Sequence, residues 1–355
     1  MKLPARAVSS LGWLLLLGLG PGWLAGGPAL AQPFQLPTAN RNLLAPGGEP
    51  AFFAPTPGRT WESGGFGCVR TDRFGPRLHE GIDILFQQQD RRGEPLDPVR
   101  GSADGEVAYL NARPGLSNYG RYLMVRHRVE GLELYSLYAH LAAIQPGLRV
   151  GDRVRAGDRL GTLGRSTNTR EGISRDRAHL HFEINFVLHE RYAAWHARTH
   201  PDQRNDHGNF HGHNFLGLDP AQVFREQQRL GPAFSLLRLV RSQPELCRVL
   251  LRTPSLSFAR RYPQFVERNP VAERQGVAGY ELGLAFNGIP IRIIPRSAAE
   301  LTAPGRIQVL SVNAAEREAH PCGRLLVKRG QAWTLTGRGD EFSRKRRFRD
   351  YPNCW

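Results

Sequence analysis

His179-Leu180-His181-Phe182-Glu183-Ile184 alternates without exception between polar and apolar side chains. A period of two belongs to an extended strand, so His179, His181 and Glu183 share one face while Leu180, Phe182 and Ile184 share the other. The apolar face needs a core layer behind it, and the polar face then presents two imidazoles on a rigid backbone. Upstream, Glu106–Leu110, Tyr122–Arg126 and Leu132–Tyr138 also suit half-buried strands. Gly151-Asp152-Arg153-Val154 recurs as Gly157-Asp158-Arg159-Leu160, a repeat short enough for turns at the corners of an antiparallel sheet. The fold class expected for this region is therefore mainly β, built on an antiparallel sheet.

A second polar cluster, His79-Glu80-Gly81-Ile82-Asp83, precedes these strands. On an extended chain His79, Gly81 and Asp83 face one way, and the glycine leaves a notch in which an imidazole and a carboxylate can converge on one ion. A third histidine, His140, ends the strongest strand candidate inside the apolar run Leu137-Tyr138-Ala139-His140-Leu141. Taken alone, His79 with Asp83 would also serve as a surface ion pair, the His179/His181 pair as a polar strand face, and His140 as a core histidine.

Together and in this order, the three motifs resemble the lysostaphin-type (LytM-like) zinc metalloendopeptidases that hydrolyse peptidoglycan. Ala103-Asp104-Gly105-Glu106-Val107 and Asn118-Tyr119-Gly120-Arg121-Tyr122 resemble the same framework. The resemblance covers roughly residues 61–224 and is silent about the rest. It implies zinc as the cofactor, with His79, Asp83 and His181 as ligands and His140 and His179 as catalytic histidines. Three protein ligands leave a fourth position, the pattern of a catalytic zinc site. Which histidine acts as base stays open, with His179 favoured because it adjoins a ligand and His140 as oxyanion stabiliser. The substrate implied is peptidoglycan, cut in its stem peptides or cross-links. The alternative is a non-catalytic relative that binds the wall or regulates other hydrolases. Such relatives usually lack the zinc ligands, and here all five residues are present.

The remaining features set the context. Lys2 and Arg6, an apolar run over 11–24 and Ala29-Leu30-Ala31 describe a secretory signal peptide at 1–31. Later segments are too polar to span a bilayer, so the expected location is periplasmic, extracellular or wall-associated. The 355 residues carry 48 Lys+Arg against 32 Asp+Glu, a formal charge of +16, and removing Lys2 and Arg6 leaves +14. Nearly all the basic residues are arginine. That skew follows genome composition often enough that charge is not read as nucleic-acid binding. Residues 32–60 hold six prolines and suggest an extended arm, 61–228 the peptidase domain, and 229–355 a smaller C-terminal α+β or β domain. Residues 220–252 have helical composition, broken by Pro232 and Pro244, and 291–294 and 307–310 read as strands. The basic run 343–349 permits binding to an anionic polymer or a protein partner. An insertion at 185–215, with His189, His196, His200, His207, His211 and His213, is either a polar loop bordering the groove or a second metal site using His211 and His213. Of the four cysteines, Cys322 with Cys354 is the expected disulfide, tying down the tail.

Overall fold

The computed structural model describes residues 34–72, 75–301 and 305–336. The signal-peptide segment, the 343–349 run and Cys354 lie outside them. Among the described residues, eighteen strands follow in chain order. The first twelve are β1 (Gly67–Asp72), β2 (Gly75–His79), β3 (Ile82–Leu85), β4 (Pro98–Arg100), β5 (Gly105–Asn111), β6 (Tyr122–Val129), β7 (Leu132–Ala139), β8 (Ala143–Ile144), β9 (Arg153–Val154), β10 (Arg159–Thr162), β11 (His179–Val187) and β12 (Phe215–Leu218). The C-terminal six are β13 (Cys247–Leu251), β14 (Gly279–Leu284), β15 (Pro290–Arg296), β16 (Ile307–Val312), β17 (Leu326–Arg329) and β18 (Ala332–Leu335).

The central antiparallel sheet runs β12-β11-β7-β6-β5-β9, with β3 also paired to β11. Both β3 and β12 use the same edge of β11. The first half of that strand, His179–Phe182, pairs with β3, and the second half, Ile184–Val187, with β12. The sheet is thus mainly antiparallel β, and the apolar face of β11 packs as its alternation requires: Leu180, Phe182 and Ile184 join Leu123, Val125 and Tyr138 in the main core. The polar face is covered as well, so β11 is buried along its whole length. The two Gly-Asp-Arg repeats close equivalent turns, in which Asp152 and Asp158 accept hydrogen bonds from the Arg149 and Arg155 amides at 2.7 and 2.8 Å.

Four expectations change. The proline-rich segment is not an extended arm: Phe34, Leu36, Leu43, Phe52 and Phe53 are buried in the main core, and the Ala54 amide bonds the Asp83 carbonyl at 2.9 Å. Proline excludes regular pairing there, yet the intervening apolar side chains still find core surface. The helical composition of 220–252 yields helices Pro220–Leu230 and Leu236–Arg241, but Cys247–Leu251 is a strand, because β14 and β16 pair with it on both sides. A short apolar run does not by itself distinguish helix from strand, and here tertiary pairing decides. The His79–Asp83 motif is not one extended run. β2 ends at His79, the chain bends through Glu80 and Gly81, and β3 starts at Ile82.

The fourth is the disulfide, which joins Cys322 to Cys68, with Cα atoms 5.2 Å apart. The turn Pro321–Gly323 packs against the β1–β2 hairpin, and the Cys322 amide lies 3.2 Å from the Cys68 sulfur. Cys68 is therefore excluded as a metal ligand, and Cys354 as the partner of Cys322. The C-terminal sheet runs β15-β14-β13-β16. It is tied to the central sheet by the Val187 amide donating to the Tyr262 hydroxyl (2.8 Å) and by Asn287 donating to the Gly217 carbonyl (2.9 Å).

Candidate active site

Register explains why three distant residues meet. His181 lies directly across from Asp83 on β3 and from Ala139 on β7. His140 follows Ala139 at the end of β7, and His79 ends β2 just before the bend into β3. The bend depends on Gly81: a Cβ there would sit 2.3 Å from the Phe182 carbonyl oxygen and 2.7 Å from Glu183 Cγ. One ligand-type atom from each of His79, Asp83 and His181 falls within 4.8 Å of the others, and all three residues are buried. His79 Nε2 is 3.1 Å from His181 Nδ1 and 3.3 Å from Asp83 Oδ1, which is 2.9 Å from His181 Nδ1.

Each imidazole is oriented through its other nitrogen. His79 Nδ1 contacts the Gly65 carbonyl at 2.5 Å, His140 Nδ1 the Ser166 carbonyl at 2.9 Å, and His179 Nδ1 the Arg177 carbonyl at 2.7 Å. A carbonyl only accepts, so these nitrogens carry the protons and each Nε2 is left as a lone pair in the neutral ring. His181 is reversed. Its Nε2 meets Glu183 Oε1 at 2.8 Å, leaving Nδ1 toward Asp83. Glu183 is fixed in turn by the Tyr119 hydroxyl (2.7 Å) and by Asn185 Nδ2 (2.8 Å). A carboxylate behind a ligand imidazole is the arrangement that fixes tautomer and ring orientation in metal sites.

The electrostatics separate the histidines. Burial lowers His79 to about 4 despite the attraction of Asp83, and it lowers His179 as well. His140 is held well below its ordinary value by burial, then by His179 and His181. These three rings are neutral at pH 7. Burial also opposes charge on His181, but Asp83 and Glu183 outweigh it and raise the ring to about 9. Two carboxylates around one imidazole attract a positive charge, which a proton or a bound cation supplies. Burial works against the Asp83 charge too, yet Arg70, His179 and His79 keep its carboxyl well below the usual range. His140 adopts φ +60°, an uncommon conformation for a residue with a side chain and of the kind that collects at functional sites.

His179 and His140 stand beside the cluster. Their ring centroids are 4.9 Å apart, and His179 Nε2 is 3.5 Å from Asp83 Oδ2. The structure thus brings His79, Asp83, His179 and His181 into one buried group, with the partly exposed His140 at its edge. Three contributors were not singled out from sequence. Arg70 pairs with Asp83, Tyr119 anchors Glu183, and Glu183 itself orients His181. Glu183 left a signal as the next polar residue on the β11 face, Tyr119 only as a member of the Asn118–Tyr122 framework stretch, and Arg70 none.

The insertion proves to be the connection between β11 and β12, which pair from Val187 opposite Phe215. His207 links it to the sheet, with Nε2 against the Leu116 carbonyl (3.1 Å) and Nδ1 against the Tyr109 hydroxyl (2.8 Å). His207, His211, Gly212 and His213 line the groove together with His79, His140 and His181. The His211 and His213 rings lie 4.7 Å apart. Among the described residues, however, His79, Asp83 and His181 form the one group of three or more candidate ligands that converges.

Residues 77–192 match the family model of Peptidase family M23. Solved structures similar to the chain include three peptidases. One, from Ruminococcus gnavus and described as a glycyl-glycine endopeptidase LytM, is 26% identical, covering 41% of this chain and 46% of that one, with TM-score 0.28. A zinc-containing peptidase from Vibrio cholerae is 22% identical over 37% and 35% of the two chains (TM-score 0.26). The catalytic domain of lysostaphin from Staphylococcus simulans is 21% identical over 34% and 75% (TM-score 0.25). The chain spans less than half the length of the first two. No curated protein matches it. The family match spans about a third of the chain, and all five histidine and aspartate side chains of the buried cluster and its neighbours lie inside the matched segment, residues 77–192.

Proposed function

We propose that the protein is an exported zinc-dependent endopeptidase that hydrolyses peptide bonds in the stem peptides or cross-links of peptidoglycan. The observation that carries this reading is the convergence of His79, Asp83 and His181 within 4.8 Å, beside two further neutral imidazoles, the buried His179 and the partly exposed His140. Two imidazole nitrogens and one carboxylate oxygen, with His181 backed by Glu183 and His79 by a carbonyl, fit the donor set and outer contacts of a catalytic zinc site. Zinc in such a site lowers the pKa of water toward about 7 and polarises a carbonyl.

The chain's own residues handle the protons. His179 presents an Nε2 lone pair next to the ligand cluster, and Asp83 at 3.5 Å supports the charge gained when that atom takes a proton. It is therefore the general base, returning the proton to the leaving amine. His140 Nε2 is likewise a lone pair while neutral, so it becomes a donor to an oxyanion only in its protonated form. Export is supported by the Cys68–Cys322 disulfide, since such bonds persist in oxidising compartments, and by the signal-peptide pattern at 1–31.

The test is digestion of purified cross-linked peptidoglycan by the full chain. New amino termini should accumulate, stop on chelation and resume on adding zinc. Their absence with metal-loaded protein would refute the peptidase reading.

A further inference from the structure

The β1–β2 hairpin sets two arginines directly opposite each other, Arg70 on β1 and Arg77 on β2. Like charges in register destabilise a strand pair, so the arrangement calls for a use that offsets its cost. Both side chains line the groove that also holds His79, His140 and His181, a cavity of about 190 Å³. Their situations differ. Arg70 is partly buried, its guanidinium donating to Asp83 Oδ2 and, through Nε, to the Ser63 carbonyl at 3.1 Å. Its charge is already matched. Arg77 is exposed, and among the described residues no carboxylate pairs with it. Glu80 is the carboxylate in the groove lining, and it has an interaction of its own.

Strand geometry fixes where Arg77 stands. Residues two apart on a strand share a face, so Arg77 and His79 point the same way, about 7 Å apart along β2. That is about the length of two residues of an extended peptide. A peptide lying along β2 with its scissile bond at the cluster would bring a group two residues away to this guanidinium, whose planar fork matches a carboxylate with two parallel hydrogen bonds. We infer that Arg77 forms a carboxylate subsite: the preferred substrate is an acidic peptide carrying a free carboxylate about two residues from the scissile bond, rather than a neutral glycine bridge. This inference rests on the peptidase reading for the bond that is cut, but not for the recognition itself.

The experiment uses the zinc-loaded full chain and two probes, a peptidoglycan stem peptide with its free α-carboxylate and the same peptide with that group as carboxamide. Binding is measured by calorimetry and cleavage is followed in parallel, for the parent, Arg77→Gln and Arg77→Glu. The parent should bind the acid about tenfold more tightly than the amide. The acid-to-amide ratio should fall to about one in Arg77→Gln and below one in Arg77→Glu. Unchanged melting and zinc content in both variants would confirm that only recognition was altered. No acid preference in the parent, or a preference that survives Arg77→Gln, would overturn the subsite. Selective binding without cleavage would uphold the subsite and refute the peptidase reading.

Discussion

His181 is the most tightly determined residue of the site, with Asp83 at one ring nitrogen and Glu183 at the other. Replacing Glu183 by Gln keeps the shape but removes the charge that stabilises the Nε2–H tautomer. Zinc affinity should fall about 10- to 100-fold, measured by competition with a chelating dye. Gly81→Ala tests the bend instead. Its Cβ would meet a backbone oxygen that has no room to yield, so unfolding in urea should show a loss of at least about 1–3 kcal/mol. Alternation marked His179 and His181 in the sequence, while His79, Asp83 and His140 were picked out by the resemblance of their motifs to a known family rather than by any strand pattern. The carbonyls of Gly65, Ser166 and Arg177 orient three rings through backbone atoms, which no side-chain pattern encodes. Arg70 lay among dozens of arginines with nothing to mark it until the hairpin brought it to Asp83.

Strands β5, β6 and β7 were legible because alternation survives wherever one face meets a core. The shape of the insertion was not. Its fold depends on aromatic contacts with residues far away in sequence: Phe210 stacks on Tyr109 with centroids 5.0 Å apart, and His207 contacts Tyr109 and Tyr122. This cover also explains why both faces of β11 are buried although its sequence alternates. Since the insertion borders the groove but supplies none of the converging ligands, replacing 188–214 with a short turn should change the preference among wall peptides and leave zinc content as it was. Losing a zinc equivalent on that deletion would show that the histidine-rich segment binds metal after all.

Across the whole molecule, the Cys68–Cys322 bond closes a sequence separation of 254 residues and clamps the C-terminal region to the hairpin that carries Arg70, Arg77 and His79. Cysteine spacing alone could not reveal this pairing, because the contact exists only once β1–β2 and the Pro321–Gly323 turn have packed. Cys322→Ser should cost about 2–5 kcal/mol in equilibrium unfolding, a difference that vanishes when parent and variant are compared under reducing conditions. The charge of +14 expected after removal of residues 1–31 would favour attraction to an anionic wall, but the proposed chemistry is assigned to five side chains. The most direct test of their roles is zinc content measured alongside wall hydrolysis in the parent, His79→Ala and His179→Ala. About one zinc per parent chain is expected, with zinc and activity both lost in His79→Ala and zinc retained with activity lost in His179→Ala. Undiminished hydrolysis by His79→Ala, or zinc lost from His179→Ala as completely as from His79→Ala, would contradict these roles.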